Sequence, residues 1–266
     1  MTRHFAPRPG PCLIDSHCHL DAPEFTGWRD QLVAAAQDSG VGQLILPAIH
    51  SDSFADSLAM RERYGCWLAF GLHPIYLARH LDEHLHTLEQ HLQRHAPVAV
   101  GEIGLDFYVP GLDTARQEAL LVEQLKLARK YDLPVLLHVR RAQDRVLKYL
   151  RQIPVKGGIA HAFNGSRQQA EAFIKLGFKL GFGGAMTYSG SRRIRELAAT
   201  LPLSALVLET DAPDIRPEWA QQQPNTPANL NQFAIVMAEL RKMDLNELRH
   251  ALWCNTYQAI GLDMPA

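Results

Sequence analysis

Cysteine is scarce and scattered in this chain. The four thiols, Cys12, Cys18, Cys66 and Cys254, show no C-x-x-C spacing, which argues against a zinc ribbon, a dithiol redox motif and a disulfide-stapled scaffold, and makes a reducing cytoplasm the expected setting. Long apolar runs are missing too. No segment reaches the length needed to cross a bilayer, and the opening MTRHFAPRPGP is basic without an apolar core, so neither secretion nor membrane insertion is expected. Charge of one sign is lacking: 27 Lys and Arg stand against 28 Asp and Glu, a formal charge of -1. That balance speaks against a broad basic face gripping duplex nucleic acid, so any phosphate partner must be held locally. Phosphate-cradling loops are absent as well. GFGGAM at 181–186 is glycine-rich but fits neither the P-loop nor the dinucleotide spacing, and reads as a tight strand end.

What is present is a repeated alternation. The 266 residues are 47% hydrophobic and 21% charged, with no low-complexity run or long linker, so one domain over 1–266 is expected. Helices are predicted at 28–39, from 51 toward 64, at about 81–95, and at 113–131, 143–151, 167–176 and 192–200. Between them lie apolar runs: LIDSH, VGQLILPAI, CWLAFGLHP, PVAVGEIGLDF, LPVLLHVR, GGIAHAF, FKLGFGG and ALVLETDAP. The runs are rich in Val, Ile and Leu rather than strictly alternating, as parallel strands covered on both faces require. Eight such strands separated by helices predict an α/β (β/α)8 TIM barrel, with an open doubly wound sheet as the other arrangement of this class. Thr226-Pro227 and Asp244 with Glu247 are helix-start signals for two closing helices.

In a parallel barrel the carboxyl ends of all strands open on one face. The chain is read as placing His17 and His19 after strand one, Glu102 after strand four, His138 after strand five, His161 after strand six and Asp211 after strand eight. His17 and His19 share a face if the strand continues, while Cys18 points away. Singly, each of these residues is as well explained by a local hydrogen bond or a helix cap. Six together on one rim predict a metal cage of imidazole and carboxylate. Six ligands exceed one tetrahedral ion, so two divalent metal ions are expected, from the range Zn, Mn, Mg, Ni or Co, with Glu102 placed between them. Paired metals lower the pKa of a shared water, which predicts hydrolysis.

The segments DSHCHLD, PAIHSDSF, GLHP, VGEIGLDF, LPVLLHVRRAQD, HAFNGS and ETDAPD resemble the TatD family of metal-dependent deoxyribonucleases, within the amidohydrolase superfamily. PAIHSDSF and the chain's closing arrangement are most similar to its YjjV branch. The resemblance runs from Ile14 to about Tyr257. It implies that His17, His19 and Asp211 hold one metal, that His138 and His161 hold the other, and that Glu102 bridges them. It further implies phosphodiester hydrolysis in DNA, in which Asp211 helps to deprotonate a metal-activated water.

Other candidates rest on position alone. Glu209 alternates with Asp211 along the strand and is a candidate to orient ligands or the water, completing a catalytic set of Asp211, Glu102 and Glu209. His73 and Arg140 are candidate phosphate contacts, although Arg140 could equally pair with a loop carboxylate. Asn164 and Ser166 precede a helix start, a natural anion site, although Ser166 with Gln169 also has capping-box spacing. Asp106 is assigned to its loop, and the histidine-dense stretch at 81–95 to a solvated helix surface. The expected partner is DNA, at single-stranded ends, with RNA admitted, no membrane and a monomeric chain. Two rival functions remain: the same cage acting on an amide, ester or lactone, and a metal-dependent nucleic-acid binding protein without turnover.

Overall fold

A computed structural model describes residues 3–5 and 10–265. The expectation attached to the opening basic segment therefore lies mostly outside the described residues. Eight parallel strands run in the order β1 to β8: β1 Leu13–Asp15, β2 Val41–Pro47, β3 Trp67–Phe70, β4 Ala99–Asp106, β5 Val135–Arg140, β6 Gly158–Ala160, β7 Phe178–Phe182 and β8 Leu206–Leu208. Beyond β8 the sheet closes on β1. Ser16 N–H donates to Leu208 O (3.1 Å), Asp211 N–H to His17 O (2.8 Å) and His19 N–H to Ala212 O (2.8 Å). The predicted TIM barrel is the fold observed.

The helices around it are α1 Arg29–Asp38, α2 Phe54–Tyr64, α3 Glu83–His95, α4 Thr114–Lys130, α5 Gln143–Gln152, α6 Arg167–Lys175, α7 Arg192–Thr200, α8 Leu230–Arg241 and α9 Leu245–Ile260. Local chemistry sets many of their ends. Ser166 and Gln169 form a reciprocal capping box on α6, and Asp244 caps α9 by accepting from the amides of Asn246 and Glu247. Gly65 ends α2 in the left-handed conformation. The Thr226-Pro227 start signal opens only a single 3-10 turn, with no side-chain cap, and α8 begins three residues later at Leu230. The histidine-dense α3 is more engaged than a solvated surface would be. Leu88 and Leu92 anchor it, and the His91 ring lies 4.8 Å from Phe54 and 5.4 Å from Phe70.

Two apolar layers hold the barrel. The larger lies between helices and strands, consistent with β2 and β4 being buried at every position. The smaller fills the lower barrel with Ile14, Ile45, Ala69, Ala99, Leu136, Ile159 and Val207, packed against Trp253, Tyr257 and Ile260 of α9. One end of the barrel is thus sealed by hydrocarbon. Two residues further along β5, β6 and β8, the same alternation places His138, His161 and Glu209 toward the other end.

Candidate metal centre

Glu102 is the hub of that upper layer, and strict alternation would not have put it there. Ala99 belongs to the inward-facing layer, so a regular strand would turn residue 102 outward. The β4–β5 register shifts between Val100 and Ile103, and the Glu102 side chain turns inward. It therefore sits within β4 rather than at its end. Its two carboxylate oxygens face two different groups. Oε2 lies 3.2 Å from His17 Nε2 and 3.6 Å from His19 Nε2, while Oε1 lies 3.1 Å from His138 Nδ1, 2.9 Å from His161 Nε2 and 3.0 Å from His73 Nε2. Asp211 Oδ1 completes the first group at 3.6 Å from both His17 and His19. Asp211 has a left-handed φ of 54°, and Ala162, after His161, a φ of 45°. Backbone of this kind on non-glycine residues is strained and persists where the surroundings enforce it.

This donor set suits a cation. The two ring nitrogens His17 Nε2 and His19 Nε2 face each other at 3.3 Å, and His161 Nε2 faces His138 Nδ1 at 3.4 Å. Buried nitrogens pointed at one another need a proton or a cation between them. His17 Nδ1 and His161 Nδ1 are also buried without a hydrogen-bond partner. In metal-free protein, protons would have to balance the carboxylates. Burial opposes charge on His161, yet Glu102 and then Asp211 and Glu209 outweigh it and push its pKa up to about 10. Burial would raise Glu102, but the surrounding histidines hold it well below the ordinary carboxylate range. The cage thus calls for positive charge at its centre, which divalent ions meet better than protons. His17, His19, Glu102 and Asp211 would hold one ion, and Glu102, His138 and His161 a second.

The remaining predicted residues fall at different distances from this centre. His73 is buried; its Nδ1 accepts from Ile75 N–H (3.1 Å), so Nε2 carries the hydrogen and donates to Glu102 Oε1. It lines the mouth cavity with Nε2 turned to the cage. Glu209 lies beneath, accepting from Ala162 N–H and, at 3.4 Å, from Ser16 Oγ, with its Oε1 3.9 Å from His161 Nδ1. Burial pushes its pKa up to about 7. Gly181 leaves the room for it, since a Cβ there would fall 2.0 Å from Glu209 Oε2. Ser166 Oγ is occupied by the α6 cap, and Asn164 Oδ1 accepts from Arg193 at 2.6 Å. Both line the mouth, a cavity of about 1200 Å³. Arg140 also lines it and has no carboxylate within ion-pair distance among the described residues; its guanidinium lies 3.7 Å from the centroid of the Tyr108 ring.

Several contacts escaped the sequence reading. Asp106 serves its loop, as expected, with Oδ1 accepting from Tyr108 N–H (2.8 Å) and Val109 N–H (2.9 Å), but its Oδ2 also accepts from His138 Nε2 at 2.9 Å. Burial favours its neutral form; the His138 hydrogen bond and the two amides win and lower the pKa to about 2. The signal was available: Asp106 is four residues after Glu102 on one strand, hence on the same face. Asp15 grips Thr210 through both oxygens, 2.8 Å to the amide and 2.6 Å to the hydroxyl, and ties β1 to the chain after β8 directly under the cage.

A family model described as TatD related DNase matches residues 14–261. The chain belongs to the TatD family. YjjV of Escherichia coli (strain K12), described as an uncharacterized metal-dependent hydrolase, is 45% identical over 249 residues, spanning 92% of this chain and 96% of its own. A 3'-5' ssDNA/RNA exonuclease TatD of Edwardsiella piscicida is 33% identical over 263 residues, 94% of this chain and 100% of its own. The crystal structure of the E. coli YjjV protein superposes with a TM-score of 0.91 at 44% identity, covering 94% of this chain and 98% of that one. A TatD family hydrolase from Entamoeba histolytica, 19% identical with a TM-score of 0.81, shares the fold. This TatD-family chain is accordingly a metal-dependent hydrolase by family. Among its described residues no helix is long and apolar enough to cross a membrane.

Proposed function

We propose that this protein removes nucleotides from single-stranded nucleic-acid ends by hydrolysing phosphodiester bonds, in the 3'-to-5' direction for which the Edwardsiella relative is named. The observation that carries the reading is the division of Glu102 between two histidine groups, one oxygen to each, at the mouth of the barrel. Divalent ions held by His17, His19, Glu102, Asp211, His138 and His161 would supply Lewis acidity to a phosphoryl oxygen and would lower the pKa of a water. Asp211, the one carboxylate of the cage with appreciable side-chain exposure (13%), is placed to accept the proton of the attacking water. Glu102 and Glu209 keep the ligands in place, Glu102 directly and Glu209 through His161 and the Ala162 amide. His73 fixes Glu102 Oε1, and Arg140, with Asn164 and Ser166 on the neighbouring loop after β6, orients the phosphate chain in the cavity.

The depth of the cage supports a strand end over an intact duplex: His17 and Glu102 are almost wholly buried, so a phosphate must enter the barrel mouth to reach them. The test is digestion of end-labelled single-stranded, duplex and RNA oligonucleotides by metal-free protein to which each metal is restored separately. Progressive shortening from the 3' end of single strands is expected. Cleavage of amide or lactone substrates in place of any oligonucleotide would overturn the reading.

A further inference from the structure

Arg140 and Arg141 are consecutive, yet both reach one aromatic ring. In an extended strand, adjacent side chains leave on opposite faces. Here β5 ends at Arg140, Arg141 takes a left-handed φ of 55°, and the two guanidinium carbons lie 3.7 and 4.6 Å from the centroid of Tyr108. That ring is 46% exposed and lines the same cavity as both arginines. Its loop is built from the metal centre outward. Tyr108 and Val109 donate their amides to Asp106, whose other oxygen holds His138, and Phe107 N–H donates to Arg140 O at 2.9 Å. Neither guanidinium makes a hydrogen bond or ion pair with a described residue. Two like charges held against one ring gain a modest cation–π attraction but repel each other, and no carboxylate relieves them. Such a pair is complementary to an anion. Arg140 follows His138 by two residues, about 6.6 Å along a strand, so the pair lies roughly one nucleotide step from the cage.

We propose that Tyr108, Arg140 and Arg141 form a clamp for a second phosphate, the one neighbouring the bond to be cut, with Tyr108 as the ring that holds both guanidiniums in register. This rests on the nucleic-acid reading above and adds to it Arg141 and Tyr108, which set the shortest strand the protein grips well. The ligand is a backbone phosphate rather than a base, because the guanidiniums lie against the ring on which a base would stack.

The test is equilibrium binding, by fluorescence anisotropy on the metal-loaded protein, of a fluorescein-labelled single-stranded tetranucleotide joined by phosphorothioates, with one linkage at a time replaced by an uncharged methylphosphonate. One linkage is expected whose neutralisation weakens wild-type binding about tenfold, as for loss of a charge-assisted hydrogen bond. The same replacement should cost Arg141→Ala clearly less than wild type, since the cycle removes the share of the coupling that Arg141 carries and leaves that of Arg140. Tyr108→Leu should lose most of the coupling and Tyr108→Phe keep it, the ring being retained. The logarithmic salt slope should fall by roughly 0.7 in Arg141→Ala, one phosphate's worth on a single strand. Equal losses in wild type and Arg141→Ala at every linkage would overturn the clamp. So would a Tyr108→Leu defect matched by removing a base from the probe while Arg141→Ala binds normally. If the coupling is found but no metal supports cleavage of any oligonucleotide, the nuclease reading falls and the clamp stands; cleavage without coupling gives the reverse.

Discussion

Glu102 faces a different group through each carboxylate oxygen, and an amide can replace only one of them as an acceptor. With 2.9 to 3.6 Å separating those oxygens from five imidazole nitrogens, Glu102→Gln puts an NH2 group against one histidine set and removes the charge that two cations would share. The expected outcome is loss of at least half of the bound metal by elemental analysis and a fall in activity of about a hundredfold or more, with the circular dichroism of the fold retained. Normal turnover at full metal content would remove Glu102 from the bridging role. Asp211→Asn is expected to act on a different quantity. If its carboxylate accepts a proton in the transition state, kcat falls by about 10² to 10⁴ while KM stays within a few-fold, metal content being measured alongside. A defect confined to KM would make Asp211 a substrate contact. Asp211 was legible from its place after a strand and Glu102 from its place in an apolar run together with the family resemblance, although Glu102 lies inside β4. How far each lies from the cage was not: His73 and Arg140 share the rim in sequence, but one is buried against Glu102 and the other stands against Tyr108.

At the scale of elements, β4 and β5 form the frame on which the second half of the cage hangs. Their registered pair Asp106 and Arg140 sits directly above Gly104 and His138, and the Asp106 hydrogen bond fixes which His138 nitrogen carries the hydrogen. Asp106→Asn keeps an acceptor for the Tyr108 and Val109 amides but offers His138 an amide in place of a carboxylate. A 10- to 100-fold loss of metal affinity or activity is expected, the usual range for a ligand's supporting partner. Unaltered metal titration would reduce Asp106 to a loop anchor. Strand number, order and most helix ends followed from composition and capping, because apolar runs, Gly65 and the Ser166–Gln169 box act locally. The inward turn of Glu102 did not, since it depends on the register shift against β5, a contact 34 residues or more away in the chain. The Thr226-Pro227 start misled for a similar reason: its local signal is real, but the chain completes a 3-10 turn packed against α1 before α8 begins.

Over the whole molecule, the buried charges make stability depend on pH and metal together. In metal-free protein, His161 has a folded pKa near 10, so the stability it contributes is complete below its unfolded value of 6.5 and is lost as pH rises through 10. Asp15, pushed up to about 8 by burial despite its bonds to Thr210, holds a proton that the unfolded chain releases near 3.8, and it too costs stability as pH rises toward 8. His73, lowered to about 4 by burial, pulls the other way only below its unfolded value of 6.5. Both therefore act without that opposition between pH 6.5 and 8, and His161 alone from 8 to 10. Each group bearing an extra folded-state proton contributes about 1.4 kcal/mol per pH unit. Metal-free protein should accordingly lose on the order of a few kcal/mol between pH 7 and 9, roughly 5 to 10 °C in Tm. Metal-loaded protein should keep only the smaller Asp15 part of the decline, because the ion takes the place of the His161 proton and binds better as its ligands deprotonate. Thermal melts of stripped and reloaded protein at half-unit pH steps would decide it. Parallel declines in the two forms would mean that the proton on His161 and the metal do not compete for the same cage.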